Sequence, residues 1–178
     1  MKSNQLAACL VLVGMSALGT AHASPDTQSG IYFGATYNNV KFKAAGETGP
    51  TLGAISATVG TRFNKHFALE FRAGTGINDD DFDGLKFEID YVLGLYALGT
   101  LPLNNSGLSV YGSLGHSRID LRANLDGMTA TGEQEGISYG AGLQYSTQLV
   151  SYRAGYETLL KKSGISASGL TAGVYLNF

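Results

Sequence analysis

The chain contains no tryptophan, three prolines and one cysteine, and only 15% of its 178 residues are charged. A single cysteine excludes an internal disulfide, so the fold is held without covalent staples. Acids and bases nearly cancel, at a net charge of −2, and are mixed along the sequence rather than blocked, so no nucleic-acid surface is expected. Past residue 23 there is no run of 18 apolar residues, which excludes a membrane-spanning helix. A G-X-Y repeat and proline-rich tracts are missing too, setting aside collagen and ordinary disorder. What the chain has in abundance is glycine, 25 residues, roughly twice the usual share.

Residues 1–23 read as an export signal: Lys2, an apolar core from Leu6 to Leu18, then Ala21-His22-Ala23, a small-x-small cleavage pattern. The expected organisation is a signal peptide over 1–23 and one domain over 24–178. Leu6-Ala7-Ala8-Cys9 precedes most of the apolar core, so Cys9 is not expected to carry a lipid anchor.

The mature segment alternates with period two. Phe67, Leu69, Phe71 and Ala73 face one way, Glu70 and Arg72 the other; Ile55, Ala57, Val59, Thr61 and Phe63 alternate with Ser56, Thr58, Gly60 and Arg62. Phe87, Ile89, Tyr91, Leu93, Leu95 and Ala97 form another apolar row, against Lys86, Glu88, Asp90, Val92, Gly94 and Tyr96. Together with 29–42, 108–121, 136–145, 150–159 and 165–178, these segments predict eight strands. Turns are expected at 64–66, 99–107 and 146–149 on one side, and loops at 43–50, 77–84, 122–135 and 160–164 on the other. An even strand count puts both termini on one side.

The apolar rows are large, whereas the opposite rows hold small residues and charges of both signs. A soluble barrel would need charge over its whole exterior, which 15% can hardly supply. The expected fold is therefore all-β: an eight-stranded antiparallel up-and-down transmembrane β-barrel, with lipid outside and a packed polar interior. Gly34, Gly60, Gly94, Gly155 and Gly173 fall in the inward rows, where a narrow barrel needs small residues beside large ones. In segment 108–121 the phase is split, because Val110 and Leu114 favour one register for the lipid face and Ile119 and Leu121 the other; a bulge would reconcile them.

Thr171, Gly173, Leu176 and Phe178 form a pattern that resembles the C-terminal assembly signal of bacterial outer-membrane proteins. The mature chain as a whole resembles the small OmpA-like and OmpX-like outer-membrane β-barrels of the porin family. That resemblance implies residence in the bacterial outer membrane with both termini periplasmic, as a monomer among outer-membrane lipid and lipopolysaccharide. It also implies periplasmic chaperones and recognition of the last strand by the barrel-assembly machinery. The implied role is non-enzymatic: envelope integrity or surface interaction, including adhesion or resistance to host defences, through short loops. Two other readings stay open, a lipid A modifying enzyme and a narrow ion channel.

Arg62, Glu70, Arg72, Glu88, Asp90, Arg153 and Glu157 are expected to point into the barrel and to pair there, since an isolated ion away from water is very costly. Asp79, Asp81 and Asp83, followed by Gly84 and by Asp90 at the twelfth place, match a calcium-loop spacing, although the flanks are strands; a solvated acidic loop is the plainer reading, and no cofactor beyond a weak calcium ion is expected. His116-Ser117 is the sole His–Ser pair that an enzyme reading could use, but adjacent strand residues point apart. Phe63, Phe67, Tyr145, Tyr152 and Phe178 suggest an aromatic girdle at one rim, and Tyr37, Phe42 and Phe87 at the other. Removing Phe178, or replacing it by Ala, should lower the amount of folded protein in the outer membrane, measured by heat-modifiable gel mobility of membrane fractions; normal accumulation would refute the assembly-signal assignment.

Overall fold

The structure, a computed structural model, describes residues 30–44, 47–82, 85–103, 107–125, 128–162 and 164–178. The export-signal segment lies outside them. Nine strands follow in chain order: β1 (Gly30–Ala44), β2 (Glu47–Arg62), β3 (Phe67–Gly76), β4 (Asp79–Phe82), β5 (Leu85–Pro102), β6 (Leu108–Leu125), β7 (Met128–Ser146), β8 (Val150–Lys162) and β9 (Ile165–Asn177). β3 and β4 both pair with β5 and are separated only by Ile77 and Asn78, so they are two segments of one stave. β1 pairs with β9, from Tyr32 opposite Asn177 to Ala44 opposite Ile165, and closes the ring. The result is an eight-stave, all-antiparallel up-and-down barrel.

The lower end of the barrel carries both described termini and the connections after β2, β5 and β7. There Asn64 Oδ1 accepts the backbone N–H groups of His66 and Phe67 at 2.8 and 2.9 Å, and Phe178 N donates to Ile31 O at 3.0 Å. At the upper end the strands run well past the expected loops. Segment 122–135, expected to be a 14-residue loop, continues the β6–β7 ladder up to Leu125 opposite Met128. Alternation marks a strand only while its two faces differ in polarity; backbone pairing persists after that contrast fades.

Over the lower part the outward row is apolar, with Ile31, Ile55, Val59, Phe71, Leu95, Leu114, Leu143, Val174 and Leu176 exposed. The inward row holds Tyr32, Tyr96, Tyr111 and Tyr175 with Glu70, Arg72, Arg153 and Glu157. In the upper part the polarity inverts. Val40, Phe42, Leu52, Ala54, Ile89, Val92, Ile119, Leu159, Leu160 and Ala167 pack together inside, while Asn39, Lys41, Lys43, Asp90, Arg118, Glu133 and Lys161 face outward. The upper part is thus built as a water-soluble barrel stacked on a lipid-facing one.

β-Bulges contribute to that inversion. In β5 the register slips between Ile89 and Tyr91, so inward residues change from Val92, Gly94 and Tyr96 below to Ile89 above. In β8 the slip lies between Thr158 and Leu160. The carbonyls displaced from the ladder are capped by hydroxyls of nearby staves: Thr75 Oγ1 donates to Asp90 O at 2.8 Å, and Ser138 Oγ to Leu159 O at 2.6 Å. In β6 the ladder to β7 is unbroken: Val110 and Leu114 face outward, and Ile119 faces inward into the apolar cluster rather than to lipid. Phe42, expected at the outer aromatic rim, is likewise inside the barrel. The side chain of Phe87 lies outside the described residues.

All five expected inward glycines lie beneath tyrosine rings. A Cβ on Gly34 would strike Tyr175, one on Gly60 would strike Tyr32, one on Gly94 Tyr96, one on Gly155 the Tyr111 hydroxyl at 2.7 Å, and one on Gly173 the Tyr175 hydroxyl at 2.8 Å. The missing side chains make room for interior rings in a barrel too narrow to hold both. Gly94→Val should therefore destabilise the barrel by about 1–3 kcal/mol through overpacking, read by urea unfolding in detergent micelles. Gly99→Ala, whose Cβ would meet nothing within 4 Å, is the contrasting control and should not lower the midpoint.

Candidate functional site

Strand alternation brings Glu70 and Arg72 from β3 and Arg153 and Glu157 from β8 into the barrel interior. β3 and β8 are opposite staves, four steps apart in either direction around the ring. Arg72 Nη1 donates to both Glu157 carboxylate oxygens at 2.9 Å, and its Nε and Nη2 donate to Glu70 Oε2 at 3.0 and 2.7 Å. Arg153 Nη1 returns across the lumen to Glu70 Oε1. The four charges cancel, and the ion pairs span the full width of the barrel.

Polar neighbours add further hydrogen bonds to the network. Tyr32 OH donates to Glu70 Oε1 at 2.6 Å, Ser113 Oγ donates to Glu157 Oε1 at 3.1 Å, and Arg153 Nε donates to Gln144 Oε1 at 2.7 Å. Both guanidinium groups also lie against rings, Arg72 4.2 Å from the centre of Tyr96 and Arg153 4.1 Å from that of Tyr175. Glu70 is fully shielded from solvent. Such a network is stable because every charge has partners of opposite sign and directed donors; with one member missing it would carry an uncompensated ion.

Glu70, Arg72, Arg153 and Glu157 thus come together as the alternation anticipates. Arg62 sits at the lower rim of the same interior, its guanidinium 5.2 Å from the Tyr32 ring centre and 3.4 Å from Asn177 Oδ1. Glu88 and Asp90 do not join the network. They lie on the outer surface of the upper part, where Arg122 reaches Glu88 at 3.3 Å and Asp90 at 2.7 Å. The cause is the β5 bulge, which reverses the phase that simple alternation assigns to them. Tyr32, Ser113 and Gln144 were not anticipated as members. Gln144 was legible as the register partner of Arg153, had the β7–β8 pairing been known.

For the calcium spacing, Asp79 and Asp81 lie in β4, opposite Glu88 and Lys86, on extended backbone rather than in the sharp turn of a calcium loop. Asp83 lies outside the described residues, and Asp90, the twelfth position of the template, is held by Arg122. Among the described residues no three metal-ligating side chains converge. His116 projects outward, between Leu95 and Ile137 on the flanking staves, while Ser117 points inward and hydrogen-bonds the Leu159 carbonyl and the Ser138 hydroxyl. The two never converge. At the C-terminal pattern, Thr171 and Gly173 face inward and Leu176 and Phe178 outward, the Phe178 ring meeting that of Phe33 at 5.9 Å.

A closed eight-stave antiparallel barrel has its counterparts among known proteins. The model of the outer membrane protein beta-barrel domain matches residues 7–178. The chain belongs to that family. Among solved structures, the barrel is similar to Neisserial surface protein A, with a TM-score of 0.66, 21% identity and coverage of 84% of this chain and 98% of that one. It is also similar to Ail, the attachment invasion locus protein of Yersinia pestis, in complex with the heparin analogue sucrose octasulfate (TM-score 0.63, 16% identity, 84% and 99% coverage). A third likeness is to the N-terminal β-barrel domain of Pseudomonas aeruginosa OprF (TM-score 0.60, 15% identity, 82% and 97% coverage). No curated protein matches. At these identities the structural likenesses establish the fold, and the family match places the chain in the bacterial outer membrane.

The family's barrel is here locked by its interior ions. Glu157→Leu should destabilise the folded barrel by about 3–5 kcal/mol, since it leaves Arg72 buried with a single carboxylate. Adding Arg72→Met should recover part of that loss in urea unfolding of vesicle-embedded protein. A double variant no more stable than the single one would show that the pair is not coupled.

Proposed function

We propose that the protein is a non-conducting, non-enzymatic anchor of the outer membrane that works through the water-exposed upper end of its barrel. The single observation that carries this reading is the set of ion pairs from β3 to β8, which leaves the middle of the lumen bridged from wall to wall. Above that bridge, the apolar cluster from Val40 to Ala167 fills the interior a second time. A solute has no polar path between them, which argues against a channel. The separation of His116 from Ser117, and the engagement of Ser117 by the β8 bulge, argue against hydrolytic chemistry on lipid A.

With the interior closed, contact with the surroundings falls to the outer surface of β1, β2 and β5 to β9 above the apolar belt. Envelope integrity and contact with external surfaces, adhesion included, are the roles such a collar can serve. The likeness to Ail, whose structure was solved in complex with a heparin analogue, supports a search for ligands on this barrel as well. The arrangement of the chain ends supports termini in the periplasm, with the upper end outside the cell. The C-terminal Thr171-Gly173-Leu176-Phe178 pattern serves recognition by the assembly machinery, and the barrel works as a monomer.

Purified mature protein in planar bilayers should show no stepwise conductance in molar potassium chloride. The double variant Arg72→Ala, Arg153→Ala, if it folds, should also show no openings, because the apolar cluster above the bridge still fills the lumen. Discrete openings in the unmodified protein would overturn the sealed-anchor reading.

A further inference from the structure

The collar is not electrically uniform. On the side made by β5, β6 and β7, basic groups are neutralised in place: Arg118 pairs with Glu133, and Arg122 with Glu88 and Asp90. On the side made by β8, β9 and β1, which are consecutive staves, Lys41, Lys43, Lys161 and Lys162 are all exposed. Among the described residues none of these four enters an ion pair.

Register places them together. Lys43 pairs with Ser166, and Ser166 pairs with Lys161 on its other side, so the two lysines flank one serine in a single row. Their backbones are about 10 Å apart at the usual strand spacing. Lys41 lies one pleat lower, opposite Ser168, and Lys162 one residue beyond Lys161 at the strand end. Lys161 Nζ stands 5.9 Å from the centre of the outward Tyr139 ring, which fixes it on the outer face.

Height decides the partner. On the same three staves the outward rows end in Tyr37, Leu170 and Tyr156, all exposed, with Leu170 paired to Tyr156. The lysines begin within two pleats above this edge, where the hydrocarbon gives way to headgroups. A lysine there keeps its stem along the apolar rim and its ammonium in the polar layer. Fixed, unpaired cations at that depth face the acidic groups of lipids, which are immobilised at the same height, whereas a soluble polyanion would have to compete for them from bulk water.

We propose that Lys41, Lys43, Lys161 and Lys162 form a docking surface for the phosphate groups of an outer-leaflet lipid, with Ser166 between Lys43 and Lys161 as a hydroxyl donor. This deepens the anchor reading by naming a partner for one side of the collar; the sealed lumen is tested separately by conductance, so either can fail alone. The test uses the folded mature protein in nanodiscs, with lipopolysaccharide as the probe, and measures binding at several salt concentrations. Binding should weaken with salt, and the triple variant Lys41→Gln, Lys43→Gln, Lys161→Gln should bind about 100-fold more weakly, from roughly fivefold per lysine near a charged surface. Arg118→Gln with Arg122→Gln, on the neutralised side, should change binding little. Enzymatically dephosphorylated lipopolysaccharide should lose affinity for the unmodified protein to a similar degree, an arm that needs no variant to fold. Unchanged binding by the triple variant or by the dephosphorylated lipid would overturn the proposal. So would tighter, lysine-dependent binding of a soluble sulfated oligosaccharide, which would assign the patch to a free polyanion.

Discussion

Everything in the lower barrel follows from the need to keep four buried charges paired across a lumen one side chain wide. A ring of eight staves is narrow enough for Arg72 on β3 to reach Glu157 on the opposite wall, and too narrow for water to screen them. The guanidinium groups need flat partners, and Tyr96 and Tyr175 supply them. Those rings need space, and the glycines at 94 and 173 supply that. The inward glycines at 34, 60, 94, 155 and 173 thus serve the ion network: the absence of a side chain at each makes room for the large, polar-tipped ring of a tyrosine.

The inversion of polarity along the barrel axis follows from a different constraint. Strands of 18 or 19 residues, as in β5, β6 and β7, are about twice as long as the ~9–11 residues needed to cross the hydrocarbon. The excess stands in water, and in water a barrel is stable only with apolar groups inside. Bulges in β5 and β8 let a continuous strand serve both regimes, since one extra residue exchanges the faces. Their displaced carbonyls are capped by Thr75 and Ser138, so the exchange leaves those groups hydrogen-bonded.

This division explains what was legible in the sequence and what was not. Residues 67–73 and 150–157 alternate without interruption, and Glu70, Arg72, Arg153 and Glu157 were identified by phase alone. Glu88 and Asp90 obey the same alternation in the sequence yet lie outside, because a bulge leaves no mark in a pattern of apolar and polar letters. Ile119 and Phe42 misled for a related reason: an apolar residue in the inward phase looks like a register error if the interior is assumed to be polar throughout. The lysine row was invisible for a third reason. Lys43 and Lys161 are more than a hundred residues apart in the chain and become neighbours only when β1 and β9 close the ring.

Closure of the ring therefore does two things with one set of backbone hydrogen bonds. It removes the free strand edges that would otherwise expose unpaired backbone groups to lipid. It also brings the first stave beside the last two, and so joins lysines contributed by opposite ends of the chain into one surface. The ion-paired side of the collar, in contrast, is built from β5 to β7, which are consecutive in sequence and could form as hairpins before closure. Charge that is neutralised locally tolerates an unfinished barrel, whereas the unpaired lysines meet only when the barrel is complete. Electrostatic attraction to an acidic surface at that site is then a property of the closed form, and binding there favours closure over any open sheet by mass action.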